Sequence, residues 1–296
     1  MGLKAKFGVM TIPWFVKIPA KIVLSRLPIR YDAWRALNVF RAGSMDDPET
    51  AFAVYEMHRN AAGFGSRMGY TVLELGPGDS ALTALFASAA GARGTILVDQ
   101  CKLASGRREL FDIAAAMLAR NGIACPDLVG ADSIEKVLTR LNCRYMTGGI
   151  DSLRALPDGT IDFVFSNAVI EHVRKGQFLE TARELHRVMA ADGVASHWID
   201  YRDHLDMKLN NLRFSETVWE SNFMVNSGFY TNRIPAAELC SLFQEAGFSV
   251  DIHECALWPA GGLPTPQWAM SEPFASMAPE ALMVMSNWLL LRKRSA

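Results

Sequence analysis

The sequence predicts an α/β fold: a doubly wound, mostly parallel sheet with helices on both faces, plus an N-terminal arm and a lid insertion. Three features predict it. From Thr71 onward, short apolar runs alternate with runs of helical periodicity, the pattern of parallel strands crossed over by helices. A glycine-containing turn, "ELGPGDS" at residues 74–80, follows the first apolar run. Residues 201–234, rich in Asn, Arg and aromatic side chains, fit neither periodicity and interrupt the alternation. Half of the 296 residues are hydrophobic and 21% are charged, which suits a large domain with a real core.

The elements follow in order. "TVLEL" reads as a strand leading to a helix near 80–90, and "GTILVDQ" as the second strand. A helix near 105–120 places Leu110, Phe111, Ile113, Met117 and Leu118 at helical spacing and stops at Asn121-Gly122. Asp132 or Ser133 caps the next helix, through "IEKVLTRL". "IDFVFSNAV" is a strand, "GQFLETARELHRVMAADG" a helix closed by Gly193, and "VASHWID" the following strand. A helix over "IPAAELCSLFQEAGF" and strands over "SVDIHE" and "NWLLLRK" complete the chain.

This divides the protein into residues 1–60, an arm and cap, and residues 61–296, the α/β domain with its insertion at 201–234. Residues 1–41 hold eight Lys or Arg and one acid, so they carry +7 and the remainder −8. The near-neutral total of −1 argues against a general nucleic-acid binder. The arm's apolar stretch is broken by Pro13, Pro19 and two lysines, which opposes both a signal peptide and a spanning helix. Two readings of it stay open: residues 1–30 rest on an anionic membrane surface, or the arm packs on its own domain. The five cysteines are scattered and form no CxxC pair, which points to a reducing cytoplasm and away from a cysteine metal site.

The glycine turn should bind a ligand, because ligands of open parallel sheets sit beyond the carboxyl ends of the strands. Gly76 and Gly78 allow a tight turn and close approach. Asp99 lies 21 residues after Gly78, a spacing that suits an acid gripping ribose hydroxyls. A dinucleotide is disfavoured: Glu74 precedes the turn and Asp79 follows it, and two carboxylates repel a pyrophosphate. They suit a ligand with a cationic amino-acid end. No GK[ST] follows, so a P-loop is excluded.

At these residues the sequence resembles the class I S-adenosylmethionine-dependent methyltransferases. Their acid-GxGxG motif is matched by Glu74-Leu75-Gly76-Pro77-Gly78-Asp79-Ser80, with Ser80 in place of the last glycine. Their fourth-strand motif is matched by "LPDGTIDFVFSNAVIEHV", residues 156–173, and the fifth-strand region by "ELHRVMAADGVASHWID". The resemblance covers residues 60–200 well. It implies a Rossmann-like seven-stranded sheet with an antiparallel last strand and S-adenosylmethionine as cofactor. It further implies Glu74, Gly76, Pro77, Gly78, Asp79 and Ser80 around the methionine end, Asp99 on the ribose, Gln100 beside the adenine and Asp151 near the adenine amino group. Asn167 and Ala168 would face the transferred methyl.

Methyl transfer is an in-line displacement that depends on positioning, and a hydroxyl acceptor also benefits from a general base. The densest polar cluster, "SHWIDYRDHLD", contains His197, Asp200, Asp203 and His204, and Glu171-His172 is a further candidate. His197, Asp200, His204 and His172 are therefore the expected catalytic residues, with no metal ligand assigned. The insertion concentrates Arg213, Trp219, Glu220, Asn222, Phe229, Tyr230, Asn232 and Arg233, which suits a sugar as well as ordinary lid packing. The order of these residues resembles bacterial methyltransferases associated with surface polysaccharide synthesis. The expected activity is O-methylation of a sugar or glycan. A small-molecule N- or O-methyltransferase of secondary metabolism and a non-catalytic binding protein of the same fold are the alternatives.

Overall fold

Strands β1 (Thr71–Leu75) and β2 (Gly94–Val98) are buried at almost every residue, as parallel strands covered by helices on both faces must be. The computed structural model describes Phe15, residues 45–104 and residues 106–294. Phe15 apart, the basic arm lies outside the described residues, and with it both the membrane contact expected of residues 1–30 and its alternative, packing on the domain. The remaining strands are β3 (Cys143–Met146), β4 (Ile161–Asn167), β5 (Met189–Asp200), β6 (Phe248–Leu257) and β7 (Val284–Lys293). They form one seven-stranded sheet of order β3-β2-β1-β4-β5-β7-β6. β1 pairs in parallel with both β2 and β4, whereas β7 runs antiparallel between β5 and β6. The fold class is the expected one, antiparallel last strand included. The strand order reverses between β1 and β4, which makes their carboxyl ends the natural ligand crevice.

Helices α1 (Pro48–Ala61), α2 (Thr83–Ala89) and α3 (Glu109–Arg120) cover one face. Their Tyr55, Leu85 and Phe111 pack on Val72, Leu97, Phe163 and Phe165 of the sheet. α4 (Ile134–Arg140) starts at Ser133, whose hydroxyl accepts the Lys136 amide, and lies beside β3. α5 (Ile150–Arg154) and α6 (Phe178–Val188) cover the other face together with a later helix, Ala236–Glu245. Between β5 and that helix the insertion folds into two one-turn helices, α7 (Glu216–Trp219) and α8 (Asn222–Val225), so Ala236–Glu245 is α9. The insertion has its own small core of Leu205, Trp219, Met224, Phe229 and Tyr230.

α1 is held firmly to the domain. Asp47 caps it by accepting the Thr50 amide at 3.0 Å, and Pro48 presets the first turn. Its Tyr55 hydroxyl meets Tyr70 at 2.9 Å, and buried His58 bonds through Nδ1 with Ser196 Oγ at 2.7 Å.

Two local expectations are corrected. In α3 the buried stripe runs Leu110, Phe111, Ala114, Met117, Leu118, and Ile113 is 54% exposed because it lies to one side of that stripe. α6 ends at Val188 and not at Gly193. Met189 already pairs with Ile161, and the register then jumps, so that Val194 faces Phe163. Gly193 therefore sits in a bulge of β5. A Cβ there would lie 3.0 Å from the carbonyl oxygens of Ala190 and Ile161 and 3.2 Å from that of Asp162. Gly193→Ala should accordingly lower stability by about 1–3 kcal/mol, read as a lower urea midpoint with an unchanged slope. An unchanged midpoint would show that the bulge has room for the methyl.

Candidate active site at the carboxyl ends of β1, β2 and β4

The cofactor side is built by three strand ends and the loops that leave them. Glu74 is buried near the end of β1, and desolvation raises its carboxyl to about 8, with Asp99 adding to the shift and a bond from Thr83 opposing it. Asp99 follows β2. Its Oδ1 accepts the Gln100 amide at 2.7 Å, and burial raises its carboxyl to about 6 against the backbone amides that favour the charge. One oxygen of each acid, Glu74 Oε2 and Asp99 Oδ2, is buried without a hydrogen-bond partner. Native proteins leave few such atoms, and each calls for a physical explanation such as an ordered water, an ion or a ligand.

Between the acids the chain turns through Gly76 and Gly78, both with positive φ. Gly76 is irreplaceable for a second reason: a Cβ would come 2.5 Å from Val169 Cγ2. Ser80 donates to the Met45 carbonyl, so the chain ahead of α1 lies across the turn. Pro77 and Asp79 are buried within it.

Beside the turn, at the ends of β1 and β2, lies a cleft of about 90 Å³. Its floor and walls come from Leu75 and Gly76, Val98 to Gln100, Gly149, Ile150 and Leu153, Val169, His172 and Val173, and Gln177 and Thr181 of the α6 region. Val98, Ile150, Leu153 and Val169 give the cleft an apolar lining, and Asp99 belongs to the same wall. Gln100 lies against Gly149. Asp151 does not face the cleft: its carboxylate is exposed and pairs with Arg154 at 2.6 Å. Asn167 ends β4 beside His58, and Ala168, with φ +55, turns the chain sharply there. Strain of this kind at a non-glycine residue gathers at functional sites.

The expected catalytic cluster separates. His197 lies wholly inside the core, stacked on Phe243 at 5.9 Å and bonded through Nδ1 to Ser166 Oγ at 2.8 Å. Burial lowers its imidazolium to about 3, so it stays neutral and has no access to the cleft. Asp200 is buried and held in a fork by Arg202, with Nη2 at 2.7 Å. Asp203 organises its own loop by accepting the amides of Leu205, Asp206 and Asn210. Period-two alternation along β5 sends His197 inward, and the polar spelling of the segment concealed this.

His172 and His204 are brought together, Nε2 to Nε2 at 3.1 Å with rings 4.9 Å apart. His172 lines the cleft in a 3₁₀ turn, Ile170–His172. Its Nδ1 is 2.8 Å from the Tyr230 carbonyl; a carbonyl can only accept, so Nδ1 carries the proton. The lone pair is therefore on Nε2, where His204 Nε2–H donates to it. His172 has an edge open to solvent, yet the protein around the ring and His204 beside it hold its imidazolium below the ordinary range. Buried Glu171, next in sequence, accepts the Asp200 amide at 3.3 Å, and burial raises it to about 8.

The Methyltransferase domain family matches residues 48–253. The chain belongs to this family. Among solved structures, this methyltransferase is similar to the YcgJ protein of Bacillus subtilis, at 15% identity over 82% of this chain and 99% of that one, with a TM-score of 0.45. An S-adenosylmethionine-dependent methyltransferase of Mesorhizobium loti matches at 14% identity over 84% and 100% of the two chains, TM-score 0.43. A 1,6-didemethyltoxoflavin-N1-methyltransferase of Burkholderia thailandensis, with its substrate and S-adenosylhomocysteine bound, matches at 14% over 95% and 89%, TM-score 0.43. No curated protein matches the chain. Among the described residues no helix is long and apolar enough to cross a membrane.

Sequence reasoning missed the cleft walls Val169, Val173, Gln177 and Thr181, which are ordinary residues whose place depends on the turn after β4. It also missed His58. The insertion's aromatic residues, which suit a sugar or ordinary lid packing, are used internally: Trp219 Nε1 donates to the Thr231 carbonyl at 2.7 Å, and Arg233 packs over Trp219 and Phe274.

The core position of His197 has a measurable consequence. Its folded-state pKa lies below the unfolded value, so it contributes stability above about pH 6.5 that is lost as pH falls toward its folded pKa. His197→Gln should flatten the acid slope of stability between about pH 6.5 and 4, by at most about 1.4 kcal/mol per pH unit. An unchanged slope in denaturant titrations would mean that His197 is not buried neutral.

Proposed function

We propose that this methyltransferase O-methylates a sugar or glycan, such as a surface-polysaccharide precursor, with S-adenosylmethionine as cofactor and His172 as the general base. The observation that carries the reading is His172: a cleft-lining imidazole whose tautomer is fixed by the Tyr230 carbonyl, with an unprotonated Nε2.

The cleft fits the cofactor. Glu74 would hold the cationic amino-acid end, the backbone of Gly76 to Ser80 would pass close to it, Asp99 would take the ribose hydroxyls, and Gln100 with the apolar lining would hold the adenine. When bound, S-adenosylmethionine supplies a sulfonium-activated methyl group. His172 Nε2 would accept the proton that the acceptor hydroxyl loses as it takes up the methyl group, the sulfonium leaving as a neutral thioether. His204 Nε2–H makes to Nε2 the kind of bond that the acceptor hydroxyl would make in its place. A hydroxyl needs such a base more than a neutral amine does, which favours O- over N-methylation.

A polar acceptor suits the surroundings of His172. Lys175 pairs with Glu216 at 2.9 Å, and Arg174 donates to the Glu220 carbonyl and the Asn222 side chain. The segment 201–234 serves as a wall over the acceptor side, and residues 45–60 as a cap whose Met45 carbonyl meets Ser80 of the glycine turn.

The test is a methyl-transfer screen over sugar nucleotides, lipid-linked sugars and small phenols, followed by His172→Ala on the acceptor found. The variant should keep cofactor affinity within about twofold and lose about 10²–10⁴ in kcat. Transfer to phenols alone would move the reading to secondary metabolism. Absence of S-adenosylmethionine binding would leave a binding protein of the same fold, and an unimpaired His172→Ala enzyme would remove His172 as base.

A further inference from the structure

We infer that Asn232 is the positioning residue for His172, through which the insertion sets the orientation and tautomer of the base; this rests on the base assignment above. His172 sits in a turn of only three residues, closed by the bonds His172 N–H to Val169 O at 2.9 Å and Val173 N–H to Ile170 O at 3.2 Å. So short a turn has little rigidity of its own.

Asn232 grips that turn at three points. Its amide donates to the Glu171 carbonyl at 2.7 Å, and its Nδ2 donates to the carbonyls of Ile170 at 2.9 Å and Val173 at 3.2 Å. Every one of these carbonyls belongs to a residue next to His172 or two positions from it. The fourth group, Asn232 Oδ1, accepts the Ile234 amide at 3.2 Å, which locks the side chain in place. Asn232 is 2% exposed, so water does not readily replace these bonds.

The strip that carries Asn232 alternates in what it touches. Tyr230 and Asn232 meet the turn: the Tyr230 carbonyl accepts His172 Nδ1–H, and its hydroxyl accepts the Lys175 amide at 2.9 Å. Thr231 and Arg233 are tied back into the insertion. Trp219 and Asn211 bond to Thr231, and Arg233 donates to the Phe214 carbonyl at 2.7 Å and Glu216 at 2.6 Å. Arg233 adopts φ +56, an unfavourable conformation that these bonds and its burial against Trp219 and Phe274 maintain. The insertion thus holds one edge of the strip, and the other edge holds the base.

The test uses the full-length protein labelled with ¹⁵N at histidine, each ring assigned by substitution. In the native protein His172 should be almost wholly the Nδ1–H tautomer. Asn232→Ala should make the Nε2–H tautomer of His172 appear and quicken exchange of its ring proton, while the signals of His58 and His197 and the affinity for S-adenosylmethionine stay as they were. Asn232→Asp keeps the acceptor for the Ile234 amide and loses the two side-chain donors, so it should shift His172 in the same direction. On an acceptor substrate either change should lower kcat by about tenfold to a hundredfold with a smaller effect on KM. If Asn232→Ala does not fold, the aspartate variant carries the test alone. An unmoved His172 in a folded variant overturns the inference. A shifted tautomer in an enzyme indifferent to His172→Ala leaves the inference standing and removes the base assignment instead.

Discussion

The burial of two carboxyl groups where the parallel strands end is the constraint on which this site depends. Glu74 and Asp99 lie at neighbouring ends, β1 against β2, and helices on both faces leave them little water. Each keeps an oxygen without a partner, and each is harder to ionise than a free acid. Folding alone would not favour such an arrangement, since an unsatisfied buried polar atom costs about 1–3 kcal/mol. On the proposed reading the family's cofactor would bring what they lack, a cationic amine for one and ribose hydroxyls for the other. The glycine turn, the apolar lining of the cleft and the chain crossing over Ser80 are arranged around that pair.

Much of this was readable from local chemistry. A turn that needs positive φ declares itself through glycine, and Asp99 was placed by its spacing from that turn. Strands buried on both faces read as continuous apolar runs. What could not be read was the direction in which a side chain points once tertiary pairing is set. His197 and His204 stand in one polar-looking segment, yet the register of β5 against β4 sends the first into the core, and the loop beyond delivers the second to His172. The end of α6 was misplaced because Gly193 resembles a helix stop and is a bulge residue. Asp151 was placed near the adenine by analogy, and an ion pair with Arg154 draws it outward.

The insertion shows how residues suited to one task can perform another. Trp219, Phe229, Tyr230 and Arg233 have the composition of a sugar platform, but they bury one another in a small core of their own. Besides His204, what reaches the site is backbone and amide: the Tyr230 carbonyl and the Asn232 side chain. Such groups leave no signature in composition, because any residue has a carbonyl and the value of this asparagine lies in three bonds formed only after folding.

The central claim is that the buried acids are completed by the cofactor, and proton linkage tests it most directly. Glu74 is largely protonated near pH 7 in the free protein, and a cationic amine beside it would draw its pKa down. Calorimetry of S-adenosylmethionine binding near pH 7, in buffers of different ionisation enthalpy, should then report release of about half to one proton. The affinity should tighten between about pH 6 and 7.5, and both effects should vanish in Glu74→Gln. Binding with no proton released, or with equal linkage in the Glu74→Gln protein, would contradict the account.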